Sequence, residues 1–305
     1  MLSLPESVWR DRRAEHLARL RPWADERVRR AERGVKHPVW DFLFEYYSLR
    51  PGHLLRWSPG VAVELEGATA QDVDWPQFVP TPRGMVIPAA AFPAHRSGYL
   101  DWAVAYLDTV AARDSQFGCF GLHEWAMVYN TAEVRHRVPL RLTSADTDAV
   151  VEGSALRCTH YDAFRFFTPP AVPLNRTLLT RPDSIDHDQP GCVHANMDLY
   201  KFAYKIAPFV SADVTAEAFL VAVDARELDM RASPYDLRNH GFEPIRIETR
   251  DGREEYVRRQ REVAELAVPV RARLRAEYRR VRQLTAETSM QEQCEEAISS
   301  PEFRS

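Results

Sequence analysis

Between residues 252 and 298 apolar side chains recur at Tyr256, Val263, Ala267, Val270, Leu274, Tyr278, Val281 and Leu284, separated by runs of Arg and Glu. Steps of three, four and seven keep such residues on one stripe of a helix. A stripe that long needs other elements to cover it, which commits the chain to a mainly helical fold. Pro269 lacks an N–H and is expected to kink or split the helix. The N-terminal end repeats the pattern from Glu6 to about Gly34, where Leu17, Leu20, Ala24 and Val28 recur among charged residues. Gly34 reads as its stop, with a kink or interruption near Pro22.

The remaining elements follow from punctuation. HPVWDFLFEYYSLRPGHLLRW predicts a short aromatic helix that opens at Pro38 and ends at the RPG of 50–52. VAVELEG alternates as a strand does, and the prolines clustered between 76 and 93 break anything longer, so 60–98 reads as irregular with one or two short strands. Helices are expected over 100–113, from Leu122 to about 130, and over 211–230. VPLRLT and ALRCTHYDAFRFF have strand and loop character, and TPPAVPLNRTLLTRPDSIDHDQPG reads as one long loop. That loop delivers the chain into GCVHANMDLYKFAYK, a helix closed by Pro208. The expected fold class is therefore mainly α with a minor β component (α+β). It forms a single domain over 1–305, with Arg-rich N-terminal (about 6–34) and C-terminal (about 252–298) helices on a core of about 35–250. The two Arg-rich helices are also expected to pack together.

Composition removes several classes of function. No apolar run approaches the ~20 residues of a membrane span, and the charged N-terminus lacks a signal peptide's apolar region, so a cytoplasmic protein is expected. The four cysteines form no CxxC pair and read as reduced thiols. There is no GxSxG, no GxGxxG and no GxxxxGK, which argues against an elbow-type serine hydrolase and against loop-bound nucleotides. A net charge of −4 argues against binding nucleic acid by bulk electrostatics. Yet residues 10–36 carry ten basic side chains against five acidic ones, and RARLRAEYRRVR (271–282) has six Arg and one Glu. Either helix could track phosphates, or simply be a solvated face. Only three of the 40 basic residues are Lys, which singles out Lys201 and Lys205.

Candidate chemistry gathers on GCVHANMDLYKFAYK. His194, Asp198, Lys201 and Lys205 share one helical stripe, and a His–Asp pair at i, i+4 can bind a metal or form a dyad. The alternative is a wet face with ordinary ion pairs. GLHEWAMVY adds His123 and Glu124, which point ~100° apart so that only one is expected in a given site. Met127 rules out HExxH. RCTHYDAFRFF adds His160 and Asp162, which share a face if the segment is a strand. The triplet Asp186–His187–Asp188 reads as a hydrated loop. Together His194, Asp198, His160 and Glu124, with Asp162 nearby, would form a His/carboxylate site for iron, manganese or zinc in an oxygenase or hydrolase acting on a small molecule.

The runs HPVWDFLFEYYSLRPGHLLRW, QPGCVHANMDLYKFAYK and ELDMRASPYDL, in that order, resemble an actinobacterial family commonly labelled 3-methyladenine DNA glycosylase. The resemblance covers roughly 5–285. It implies a DNA-repair hydrolase that excises alkylated purine bases without a cofactor and meets DNA through its Arg-rich helices. The chain has no glycine-rich LPGxGxxTA hairpin, so no residue carries over from the helix-hairpin-helix glycosylases. Base excision needs aromatic faces for the flipped base and a carboxylate beside it. On that reading Tyr200, Trp125 and Tyr47, with Trp40 and Tyr46, would stack. Asp198, His194, Glu124 and Lys201 would form the catalytic group. A non-enzymatic helical binding protein is the third reading.

Overall fold

The computed structural model describes residues 2–131 and 138–299, with side chains to residue 291. The fold is mainly helical with a small sheet. In chain order the α-helices are α1 (Glu6–Glu32), α2 (Phe42–Glu45), α3 (Pro51–Leu54), α4 (Ser97–Ala111), α5 (Leu122–Ala126) and α6 (Ser144–Glu152). They continue with α7 (Tyr161–Phe164), α8 (Ser184–His187), α9 (Val193–Lys205), α10 (Ala212–Ala232) and α11 (Arg250–Ser299). Four short strands, β1 (Leu2–Leu4), β2 (Val63–Glu66), β3 (Val79–Pro80) and β4 (Gly84–Val86), form one sheet in the order β1-β2-β4-β3. β1 is parallel to β2, and the other two pairings are antiparallel. No described helix is long and apolar enough to cross a membrane.

α10 is the centre of the molecule. Its sequence is apolar nearly all round, and most of its side chains are buried. α9 packs along one side, with α11 and α1 on others. Phe219 on α10 is fully buried and meets Trp23, Phe44 and Tyr200 at ring-centroid distances of 6.0, 5.9 and 5.2 Å. The stripe that opened the sequence reading is the buried face of α11: Tyr256, Ala267, Leu274, Tyr278 and Val281 have no exposed surface.

Several expectations change. Pro22 and Pro269 interrupt neither α1 nor α11. Both lie on exposed positions, so the carbonyl each leaves without an N–H partner is on the wet side of its helix. α1 and α11 pack on α10 instead of chiefly on one another. The aromatic helix shrinks to α2, and the helix from Leu122 ends at Ala126. The strand-like stretches at 138–176 contribute only the isolated bridges Leu140–Tyr235 and Leu156–Asn175. α6 was not expected; Thr143 caps it by accepting the Asp146 N–H at 3.1 Å. β1 was also missed, because three residues are too few for periodicity to register.

His37 ties the approach to α2 together. Its Nδ1 accepts the N–H groups of Val39 and Trp40, both at 3.2 Å, so the ring must stay neutral. Burial, then the Arg30 cation and His240, bring its pKa down to about 4. Below the ordinary histidine value of about 6.5 the unfolded chain takes up a proton that the folded ring refuses, so stability is lost as pH falls from there towards about 4. His37→Asn, which keeps a short acceptor but cannot titrate, is expected to flatten that part of a plot of melting temperature against pH. An unchanged slope would contradict the assignment.

Candidate functional site

α9 is not a wet face. His194 and Asp198 are 9% and 4% exposed, and of the four stripe residues Lys201 and Lys205, at its C-terminal end, reach solvent. The loop before it is pinned by Gln189, whose Oε1 accepts the N–H groups of Gln116 and Gly191 at 2.8 and 2.7 Å. His194 lies between two imidazoles. The His123 ring stands edge-on to it at 4.5 Å, and the His160 ring stacks on it at 5.2 Å with an 18° tilt. His123 is in the first turn of α5, which starts after Gly121. Gly121 has φ +70°, which a side chain disfavours, and an added Cβ would lie 3.2 Å from Ala232.

Asp229, fully buried on α10, places Oδ1 2.7 Å from His123 Nε2. Donor atoms of His123, His194 and Asp229 all lie within 4.8 Å of one another. Arg226 Nη1 donates to Asp229 Oδ2 at 2.9 Å and to Glu124 Oε1 at 3.1 Å, with its guanidinium carbon 4.1 Å from the Phe42 ring centre. Burial, reinforced by His123 and His160, holds His194 well below the usual histidine range, so it is neutral. Burial alone would raise Asp229, but His123 outweighs it, helped by His194 and Arg226, and the carboxyl stays well below its ordinary value. Burial also works against charge on His123, yet Asp229 prevails and raises it.

A second cluster lies on the other side of His160. Asp198 Oδ2 accepts from Lys201 Nζ at 2.6 Å and lies 3.5 Å from His160 Nε2, while Tyr47 donates to Oδ1 at 3.2 Å. Lys201 also donates to Asp162 Oδ2 at 3.3 Å. Despite burial, which acts the other way in both groups, the pair holds Asp198 ionised and Lys201 charged. Asp188 is 2% exposed, not hydrated. Burial raises its pKa, the Tyr106 hydroxyl donates to Oδ2, and Oδ1 has no hydrogen-bond partner.

Two larger cavities open beside these clusters. One of about 580 Å³ is lined by His123 and His194, the thiols of Cys119, Cys158 and Cys192, and Arg113, Arg157 and Arg176. The other, about 400 Å³, is walled by Trp102, Tyr106, Tyr161 and Phe202 over Asp188, Asp198 and Lys201. Cys119, Cys158 and Cys192 are free thiols, as their sequence separation suggested.

Of the residues singled out from sequence, His194, His160, Asp198, Lys201 and Asp162 converge. Glu124 borders a small cavity of about 80 Å³ with His194 and Asp162 but is engaged by Arg226, while its neighbour His123 turns to His194. His160 and Asp162 reach the site from the start of α7, not from a strand. Trp125 and Tyr200 are fully buried and line neither cavity. The Trp125 indole N–H donates to Ala232 O at 2.9 Å, and Tyr200 packs on Tyr47 and Phe219. Both are core residues, so neither presents a face for a base to stack on. Tyr47 touches the site through its hydroxyl alone; Trp40 and Tyr46 stack with His37 and Phe42. All six Arg of 271–282 have partners within the chain. Arg273 pairs with Glu217, Arg275 and Arg279 with Asp108, and Arg282 with Asp101. Arg271 donates to Asn196 and Arg280 to Val61 O.

Sequence reading missed Asp229. Its signal was there: Ala222, Ala225, Arg226 and Asp229 fall on one buried stripe, so two charged residues occupy core positions of a helix. No protein-family model matches the chain, and searches of curated proteins and of solved structures found no match.

Arg226 pairs with both Asp229 and Glu124. Arg226→Met is expected to cost about 3–5 kcal/mol in urea unfolding, because it leaves two buried carboxylates without their cation. A loss below about 1 kcal/mol, the size of an exposed pair, would show the network to be dispensable.

Proposed function

We propose that the protein is a metal-dependent enzyme whose ion is held by His123, His194 and Asp229, and which acts on a small molecule in the adjoining 580 Å³ cavity. The observation that carries this reading is the convergence of two imidazoles and one carboxylate, all buried, within 4.8 Å. Two His and one carboxylate suit iron(II), manganese or zinc and leave coordination positions free. His194 is neutral, as a ligand must be, and Asp229 is ionised. Arg226 fixes the outer oxygen of Asp229, and the His160 ring fixes the plane of His194. Both histidines line the cavity, so a bound molecule would meet the metal directly. The ion would polarise that molecule or activate water beside it.

Of the ligand set expected from sequence, this centre keeps His194. It takes His123 in place of Glu124, and Asp229 in place of Asp198, whose oxygens are occupied by Lys201 and Tyr47. Elemental analysis of protein produced with iron, manganese and zinc in the medium is expected to find close to one ion per chain. His194→Ala and Asp229→Asn should each lose it. Occupancy should also fall on acidification, since a proton on His123, favoured by Asp229, competes with the ion. A metal-free protein that takes up none of the three ions in titration would end this reading.

One observation favours base excision as a second reading. Asp198 is ionised at an aromatic-walled cavity of about 400 Å³, a setting in which a carboxylate could stabilise an oxocarbenium ion. Asp198→Asn should then abolish base release from alkylated duplex DNA. Lack of release by the unaltered protein would remove it.

A further inference from the structure

The 580 Å³ cavity carries more information than its two histidines. Three guanidiniums line it: Arg113 at the end of α4, Arg157 before α7, and Arg176 in the long loop that follows. None of the three has a carboxylate of the described residues within 4.0 Å. Arg113 donates only to a backbone acceptor, Asp188 O, at 2.7 Å. The Arg157 side chain lies against the loop at Gly118, where a Cβ would make only ordinary contact with its Nη1, at 3.7 Å. This contrasts with α11, where Arg273, Arg275 and Arg279 are each neutralised by a carboxylate from another helix. Asp186 and His187 also line the cavity, and Asp186 is the one carboxylate there, on an exposed turn of α8.

The remaining lining is polar rather than greasy. Gln116, Gln189, Thr159 and Thr177 alternate with the thiols, and Phe117 and Val193 are its larger apolar members. A ligand held mainly by apolar contact would find little surface here. A volume of about 580 Å³ lies within the range of small-molecule sites. Guanidiniums recognise planar oxyanions through paired N–H donors, and unlike lysine they keep their charge at any physiological pH.

We infer that the substrate of the proposed metal centre is a small oxyanion, an organic acid or a phosphate ester, held by Arg157 and Arg176 with its reacting end towards His123 and His194. This rests on the metal reading for the word substrate, but the anion site can be tested by itself. Arg113, fixed to the backbone of Asp188, is a positioning residue for the cavity wall. Arg157 and Arg176 are the contacts that discriminate by charge. The neutral acceptor sites of the cavity then serve the uncharged part of the molecule.

The test is isothermal titration of the protein, with and without added metal ion, at low ionic strength with matched pairs of probes. Succinate is compared with succinamide, and glycerol phosphate with glycerol. The expected result is binding by at least one charged member and none by its neutral partner. Which charged probe binds decides between carboxylate and phosphate as the anion. Arg157→Gln and Arg176→Gln are both on exposed positions and should fold normally. Each is expected to weaken binding about tenfold or more, the effect of losing one hydrogen bond to a charged group. Both variants should retain the full metal content, because neither guanidinium is a ligand. A protein that binds neither acid at millimolar concentration, with or without metal, overturns the inference. So does equal binding of the neutral analogues, or binding that survives both substitutions together. Failure of the metal reading looks different: no ion by elemental analysis, whatever the probes do.

Discussion

A carboxylate cannot lie bare in a protein core, and Asp229 lies in the core of this one. Much of the surrounding structure can be read as the set of groups that permit it. Arg226, one turn earlier on α10, supplies a cation to Oδ2, and His123 approaches Oδ1. Arg226 is itself buried, so it needs Glu124, and Phe42 covers its plane. Glu124 and His123 are neighbours in sequence, so one short helix, α5, answers both demands. The left-handed turn at Gly121 sets where that helix begins. Four charged or titratable groups thus fix the relation of α5 to α10 more strictly than apolar packing would.

α9 divides what lies beyond. Its buried N-terminal half carries His194 towards the polar cavity, and one turn later Asp198 faces the aromatic one. The His160–His194 stack stands between them. On one side are thiols, amides and three guanidiniums with no carboxylate of the described residues within 4.0 Å. On the other, Asp198 is locked to Lys201 and Tyr47 beneath aromatic walls. Two chemically different chambers therefore share one helix and one layer of imidazoles.

Much of the framework was legible in advance. The apolar stripe of α11, the amphipathic run of α1 and the helix over GCVHANMDLYKFAYK all rest on periodicity, which is a local property. That His194 and Asp198 share one stripe of that helix was readable from their spacing. What local reading could not supply was the other half of each interaction. Whether the Arg of 271–282 tracked phosphates or formed a solvated face stayed open because the carboxylates that hold four of them, Asp101, Asp108 and Glu217, belong to α4 and α10. Asp188 looked hydrated because nothing nearby in sequence announces Tyr106. Between His123 and Glu124 the ~100° between adjacent helical residues predicts that one faces a given site, but not which one.

The sequence by itself determined that the chain is mainly helical, where its long helices run, and that one helix carries a histidine and an aspartate on a single stripe. Those conclusions need only the repeat of the helix and the chemistry of its punctuation. The tertiary structure alone decided that His194 would meet His123 and Asp229 and that Trp125 and Tyr200 would be core. It also decided that Arg157 and Arg176 would border a cavity without a carboxylate partner among the described residues. The physical reason is that these contacts join elements far apart in the chain. Burial makes each polar group depend on a partner that no local pattern names.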